Sequence, residues 1–215
     1  MKNPRLFSSL GIVLGILFFD QLSKIYVKTH FLLGEGVLVF PNWFQIVFVE
    51  NPGMAFGLEL EGNYGKLFLS LFRIVAIGFI GYYLIKIVRS TQTHWSMIVG
   101  WSLIFAGAVG NIIDSAFYGM VFNESHYQVA ELFPASGGYS RFLYGNVVDM
   151  LHFPIFQGHF PAWFPIWGSE RFEFFSPVFN IADSAITTGV VFLFIYQKHF
   201  FETPQSADSK PEINH

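Results

Sequence analysis

The chain has no cysteine, few charged residues and no basic run, and each lack narrows what it can be. Without cysteine it forms no disulfide and has no thiolate to use as a nucleophile. Charged residues make up only 13% of its 215 residues and hydrophobic ones 53%, which excludes an ordinary soluble domain. The formal net charge is −3 and lysine and arginine never cluster, so the footprint that nucleic acid needs is missing. The seven histidines are scattered, with no His-Glu-x-x-His pair, and none accompanies a Gly-x-Ser-x-Gly turn. No metal and no other cofactor is expected.

What the chain has instead is long apolar runs. Four reach the length that crosses a bilayer, at about residues 6–28, 67–87, 95–114 and 177–196, so an all-α membrane protein with four transmembrane helices is predicted. The first run is uninterrupted only to Phe19 and reaches full length by including Asp20 and Lys24. Lys2 and Arg5 precede it as in a cleavable leader, yet no small-x-small site follows, so we read it as a retained span. Lys2 and Arg5, then Lys86 and Arg89, then Lys198 fall at alternate ends of the spans. The positive-inside rule then puts both termini in the cytoplasm and segments 29–66 and 115–176 outside, with Lys28 and Lys66 weakening the bias. One membrane-embedded domain over 1–201 is expected, with 202–215 a polar, disordered cytoplasmic tail.

The outer segments carry their own signals. Val37-Leu38-Val39 and the run from Trp43 to Val49 flank Pro41-Asn42, which predicts a small extracytoplasmic sheet. It leads into Glu50-Asn51-Pro52-Gly53, which is either only a tight turn or a turn presenting the Asn51 amide. The segment from 115 to 176 is long and rich in glycine, proline and aromatics. Trp163, Phe164, Trp167, Phe172, Phe174 and Phe175 in it read as a belt at the headgroups.

Polar residues inside the apolar runs are the candidates for chemistry. Gly11 and Gly15 predict a face for close helix packing. Asp20, Lys24 and Lys28 follow at helical spacing, so Asp20 either pairs with Lys24 or acts directly. Lys66 and Arg73 read as side chains that snorkel to the interface, with no chemistry assigned. Gly107, Asn111 and Asp114 share one helical face, and Asp149 lies in an apolar context of valines, methionine and leucine. Ser176 and Pro177 read as the N-cap and first turn of the last helix, so Asn180, Asp183, Ser184 and Thr187 form a polar stripe. Asp183 would then lie roughly 9 Å down that helix, beneath one membrane face. An ionisable group there is costly, so it marks either a working site or a carboxyl satisfied by neighbouring helices.

With thiols, metal pairs and serine–histidine arrangements set aside, carboxylates remain. Two of them sharing one proton can activate water, because like charges close together cannot both ionise. Asp149 and Asp183 are the candidates, with Asp114 and Asp20 in reserve. A proton-coupled transporter would also hold carboxylates in a membrane, but it tends to show inverted repeats and broken helices, and neither is seen here. A structural assembly factor would not need a polar stripe at all.

Taken together, Asp20-Gln-Leu-Ser-Lys24, Glu50-Asn-Pro-Gly-Met-Ala-Phe56, Gly107-Ala-Val-Gly-Asn-Ile-Ile-Asp114, Val147-Val-Asp149 and Phe179-Asn-Ile-Ala-Asp-Ser-Ala185 stand in one order along nearly the whole chain. In that order the chain resembles the bacterial lipoprotein signal peptidases, type II. The resemblance implies a four-helix intramembrane aspartyl protease of the bacterial inner membrane with an extracytoplasmic β-cradle. It implies removal of the signal peptide from diacylglyceryl-modified prolipoproteins, before the lipidated cysteine, among membrane lipids and under inhibition by cyclic peptides such as globomycin. By motif, Asp149 and Asp183 would be the catalytic pair. Asp20, Lys24, Asn51, Gly107, Asn111, Asp114 and Asn180 would support the site or hold substrate. Two departures stand out. Ser115 occupies the place of an arginine usual in the family, for which Arg141 and Arg171 are the candidate replacements. The outer segment between Asp114 and Asp183 is also enlarged, around 123–139 and 156–172, as a lid or a partner surface.

Overall fold

A computed structural model describes residues 3–41, 43–52, 63–154, 156–165, 167–174 and 177–197. Helix α1 (Pro4–His30) starts where Asn3 accepts the backbone N–H groups of Arg5 and Leu6, with Pro4 pre-set for the first turn. Strands β1 (Gly36–Phe40) and β2 (Phe44–Asn51) form the predicted hairpin, of which Asn42 lies outside the described residues. Helices α2 (Asn63–Arg89) and α3 (Trp95–Ile113) follow. The third helical run does not stop at Asp114. It continues through a π-helical turn, Asp114–Tyr118, into the short α4 (Gly119–Val121).

Among the described residues, three helices are long and apolar enough to cross a membrane: Pro4–His30, Tyr64–Arg89 and Trp95–Val121. The last helix is shorter than expected. Strand β3 (Val147–His152) is followed by a separate hairpin of β4 (Phe156–His159) and β5 (Arg171–Phe174), then by β6 (Val178–Phe179) and α5 (Ile181–Ile195). Val178 and Phe179 pair with His152 and Leu151, so the sheet takes the backbone that the sequence reading assigned to a helix. The N-cap is Asn180, which with Asp183 forms a capping box, and Asp183 sits in the first turn of α5 instead of deep along it. Thr187 is exposed and leaves the polar stripe. Ser176, the expected cap, lies outside the described residues, as do Phe175, the predicted tail 202–215 and the domain end at 201.

The four-stranded sheet runs in the order β1-β2-β3-β6, all antiparallel. It packs on the helices through a core of Val27, Phe48, Tyr118, Phe122, Val148 and Met150. Phe122 and Ala130 belong to this core, so the added piece around 123–139 is folded into the body of the protein. Among the helices, α3 is central and packs on α1, α2 and α5. Its contact with α5 is close because Gly107 has no side chain, and a Cβ there would stand 2.2 Å from the Ala182 carbonyl oxygen. Gly11 and Gly15 do not serve the packing expected of them: a Cβ at either would meet nothing within 4 Å.

Candidate active site

The site forms where the end of α3, the first turn of α5, the middle of β3 and the inner face of α1 meet. Asp149 lies on β3 opposite Val49, two residues from the Asn51–Val147 end of the β2–β3 pairing, and is buried. Its Oδ1 accepts from Asn180 Nδ2 at 2.7 Å, and the Asn51 side chain also hydrogen-bonds it. Burial first, and the charge of Asp183 second, push the Asp149 carboxyl up to about 7, against the pull of those hydrogen bonds and of Lys24. Asp183 Oδ1 accepts from Asn111 Nδ2 at 2.7 Å, and its Oδ2 accepts from the backbone N–H of Asn180 at 3.3 Å. Asn180 therefore touches both carboxylates, and its amide reaches Asn111 Oδ1 at 3.1 Å as well.

Behind this pair lies a fully buried charge cluster. Lys24 Nζ stands 2.9 Å from Asp20 Oδ2, 2.8 Å from Asp114 Oδ2 and 3.0 Å from Asn111 Oδ1. Asp20 Oδ1 accepts the backbone N–H of Ala182 at 2.8 Å, and Asp114 Oδ2 accepts that of Val148 at 3.2 Å. Ala182 precedes Asp183 and Val148 precedes Asp149. Each supporting aspartate thus grips the residue just before one candidate aspartate, and a single lysine ties the two grips together. The ion pair foreseen for Asp20 exists, and the carboxylate reaches α5 besides.

All the site residues expected from the sequence converge here, Gly107 through the helix contact that brings Ala182 close. Other members were missed. Gln21 donates to Asp114 Oδ1 at 2.9 Å and to the Gly110 carbonyl at 3.2 Å, and accepts from the Tyr118 hydroxyl at 3.1 Å. Lys28 pairs with Glu50 and also bonds Ser125 at 2.8 Å, so it does not extend the Asp20–Lys24 stripe. Arg73 and Lys66 do not simply snorkel. Arg73 Nη1 donates to Ser115 Oγ at 3.2 Å, and Lys66 Nζ to Asn146 Oδ1 at 2.6 Å. Arg141, one candidate for the missing arginine, lies over the Tyr144 ring, 4.2 Å from its centroid, and the Arg171 side chain is outside the described residues. The signal that could have singled out Arg73 was its position, a charge in mid-span.

Long apolar helices joined to a small sheet around paired carboxylates define a membrane protein with a buried acidic site. Residues 12–199 match the family described as Signal peptidase (SPase) II. The chain is 54% identical over 185 residues to the lipoprotein signal peptidase of Porphyromonas gingivalis, covering 86% of this chain and 80% of that one. It is 33% identical over 205 residues to the lipoprotein signal peptidase of Amoebophilus asiaticus, covering 94% and 83%. A bacterial membrane enzyme structure obtained by the in meso method at 1.9 Å is similar at a TM-score of 0.58 and 27% identity, over 91% of this chain and 94% of that one. The chain belongs to the signal peptidase II family.

Proposed function

We propose that Asp149 and Asp183 are the hydrolytic pair of this peptidase. As a signal peptidase II, the chain removes signal peptides from prolipoproteins. The observation that carries the assignment of the pair is Asn180, whose side-chain amide bonds Asp149 and whose backbone N–H bonds Asp183. Asp183 accepts from the Asn111 amide and the Asn180 backbone N–H, while burial and the neighbouring charge favour the proton on Asp149. In the reaction, ionised Asp183 takes a proton from water as the water oxygen attacks the scissile carbonyl carbon, and Asp149 gives its proton to the carbonyl oxygen. The tetrahedral diol then collapses. The C–N bond breaks, the amine leaves with the proton from Asp183, and the diol hydroxyl returns a proton to Asp149. No acyl intermediate forms.

The motif resemblance supports a finer proposal. The bond cut precedes a diacylglyceryl-modified cysteine, and cyclic peptides such as globomycin compete for the donors of Asn51, Asn111 and Asn180. The protein lies in the bacterial cytoplasmic membrane with α5 as a fourth span, both termini cytoplasmic and the site near the outer face. The transporter reading finds no support in the relatives. In liposomes with a diacylglyceryl prolipoprotein, read by the mass shift of the product, Asp149→Asn or Asp183→Asn is expected to lower cleavage on the order of 10³-fold or more. Wild-type activity should fall as pH rises past about 7, where Asp149 gives up its proton. Cleavage by Asp149→Asn at near the wild-type rate would overturn the pair.

A further inference from the structure

Helix α2 holds Lys66 near its start and Lys86 and Arg89 in its last turn, and one more charge, Arg73, in its interior. Its neighbours Phe72 and Ile74 are exposed, as a lipid-facing surface should be, but Arg73 is half-buried on the other side. One turn earlier Ser70 is buried and donates to the Leu143 carbonyl at 2.9 Å, so this face of α2 is turned toward the outer segment and the end of α3. Arg73 meets Ser115 there, and Ser115 in turn donates to the Asn111 carbonyl at 3.2 Å. The guanidinium interacts electrostatically with Asp183 first, then with Asp114 and Asp149.

A charge count shows why this matters. Asp20 and Asp114 face Lys24, which is held at hydrogen-bond distance by both. With one proton on the Asp149–Asp183 pair, three negative charges face Lys24 and Arg73. Without Arg73 the pair would ionise against two further carboxylates and a single, already engaged cation. We propose that Arg73 is a positioning residue for the reaction, its guanidinium reaching from α2 to Ser115 to hold the carboxylate pair singly ionised. This rests on the assignment of Asp149 and Asp183 made above. It also implies that the charge matters more than the helix that carries it, so an arginine at position 115 can replace Arg73.

The test is the pH profile of prolipoprotein cleavage in liposomes, with kcat and KM taken separately. A nearby cation favours the ionised carboxylate, so its loss makes the pair hold its proton more tightly. The bell for Arg73→Gln should move upward by about one pH unit, with kcat lowered on the acid limb and KM little changed. Arg73→Lys should keep the bell near its wild-type place, and the double variant Arg73→Ala with Ser115→Arg should bring it back. An unmoved bell in Arg73→Gln overturns the proposal, even if activity falls, because lost packing alone does not shift a titration. If Arg73→Gln does not fold, the double variant decides: a wild-type bell supports the proposal, and a displaced one overturns it. Asp149→Asn measured in parallel separates the two readings. Its near-normal activity removes the pair itself, whereas an inactive Asp149→Asn beside an unmoved Arg73→Gln bell removes only the role of Arg73.

Discussion

At the scale of single residues, the site is held by what stands behind the reacting carboxylates. Lys24 answers both Asp20 and Asp114, and each of these carboxylates fixes a backbone N–H next to Asp183 or Asp149. Removing the cation leaves two buried charges without the lysine that pairs with both. Lys24→Met should therefore cost about 3–5 kcal/mol, seen as a lowered thermal midpoint in detergent, together with loss of processing. A midpoint equal to that of the wild type would mean the lysine is not the link. These residues were legible in the sequence because each is a polar group in an apolar run, where only a working or satisfied group persists. Arg73 carries the same signal, but its partner lies on another helix. Spacing along one helix reports neighbours on that helix only, so the bond to Ser115 could not be read.

At the scale of elements, the long helices followed from hydropathy, while their ends were set by contacts that hydropathy does not register. Ser176-Pro177 has the chemistry of a helix start, but Val178 and Phe179 find hydrogen-bond partners on β3, and strand pairing wins over the local signal. The true start was also written in the sequence, as the capping box of Asn180 and Asp183. The same residues cap the helix and face the chemistry, so the start of α5 cannot slip without moving the site. Contact between α3 and α5 depends on Gly107. A methyl group there would meet the Ala182 carbonyl oxygen at 2.2 Å and push α5 away. Gly107→Ala should lower stability by about 1–3 kcal/mol and reduce processing, as the displaced Ala182 loses Asp20. Thermal melting and the cleavage assay check this together, and unchanged values in both would show that the helices separate freely.

At the scale of the whole molecule, a second buried polar cluster clamps β2 and the segment between α4 and β3 to α1. Lys28 Nζ bonds Glu50 and Ser125 and lies 5.1 Å from the Tyr139 ring centroid, 5.3 Å from that of Phe122 and 5.7 Å from that of Phe48. Asn146 donates to Glu50 Oε2 at 2.8 Å. Burial pushes the Glu50 carboxyl up, but the Lys28 charge and the hydrogen bonds from Lys28, Asn146 and Ser125 outweigh it and hold Glu50 below its ordinary 4.5. A depressed carboxyl stabilises the fold above its unfolded value and loses that effect as pH falls through its folded one. The melting gap between wild type and Glu50→Gln should thus be widest near neutral pH and close as pH falls through and below the ordinary carboxylate range. A gap that stays constant with pH would show that Glu50 acts by shape alone. The hairpin of β4 and β5 forms a sheet separate from the strands of this clamp, because the chain leaving β3 comes back to pair with β3 through β6. The β3–β6 pairing joins the two ends of this excursion, so its length does not set their register. Doubling its length would cost only about 0.6 kcal/mol in closure entropy, so natural selection is free to lengthen, trim or re-clothe this piece while the paired strands at its root stay as they are.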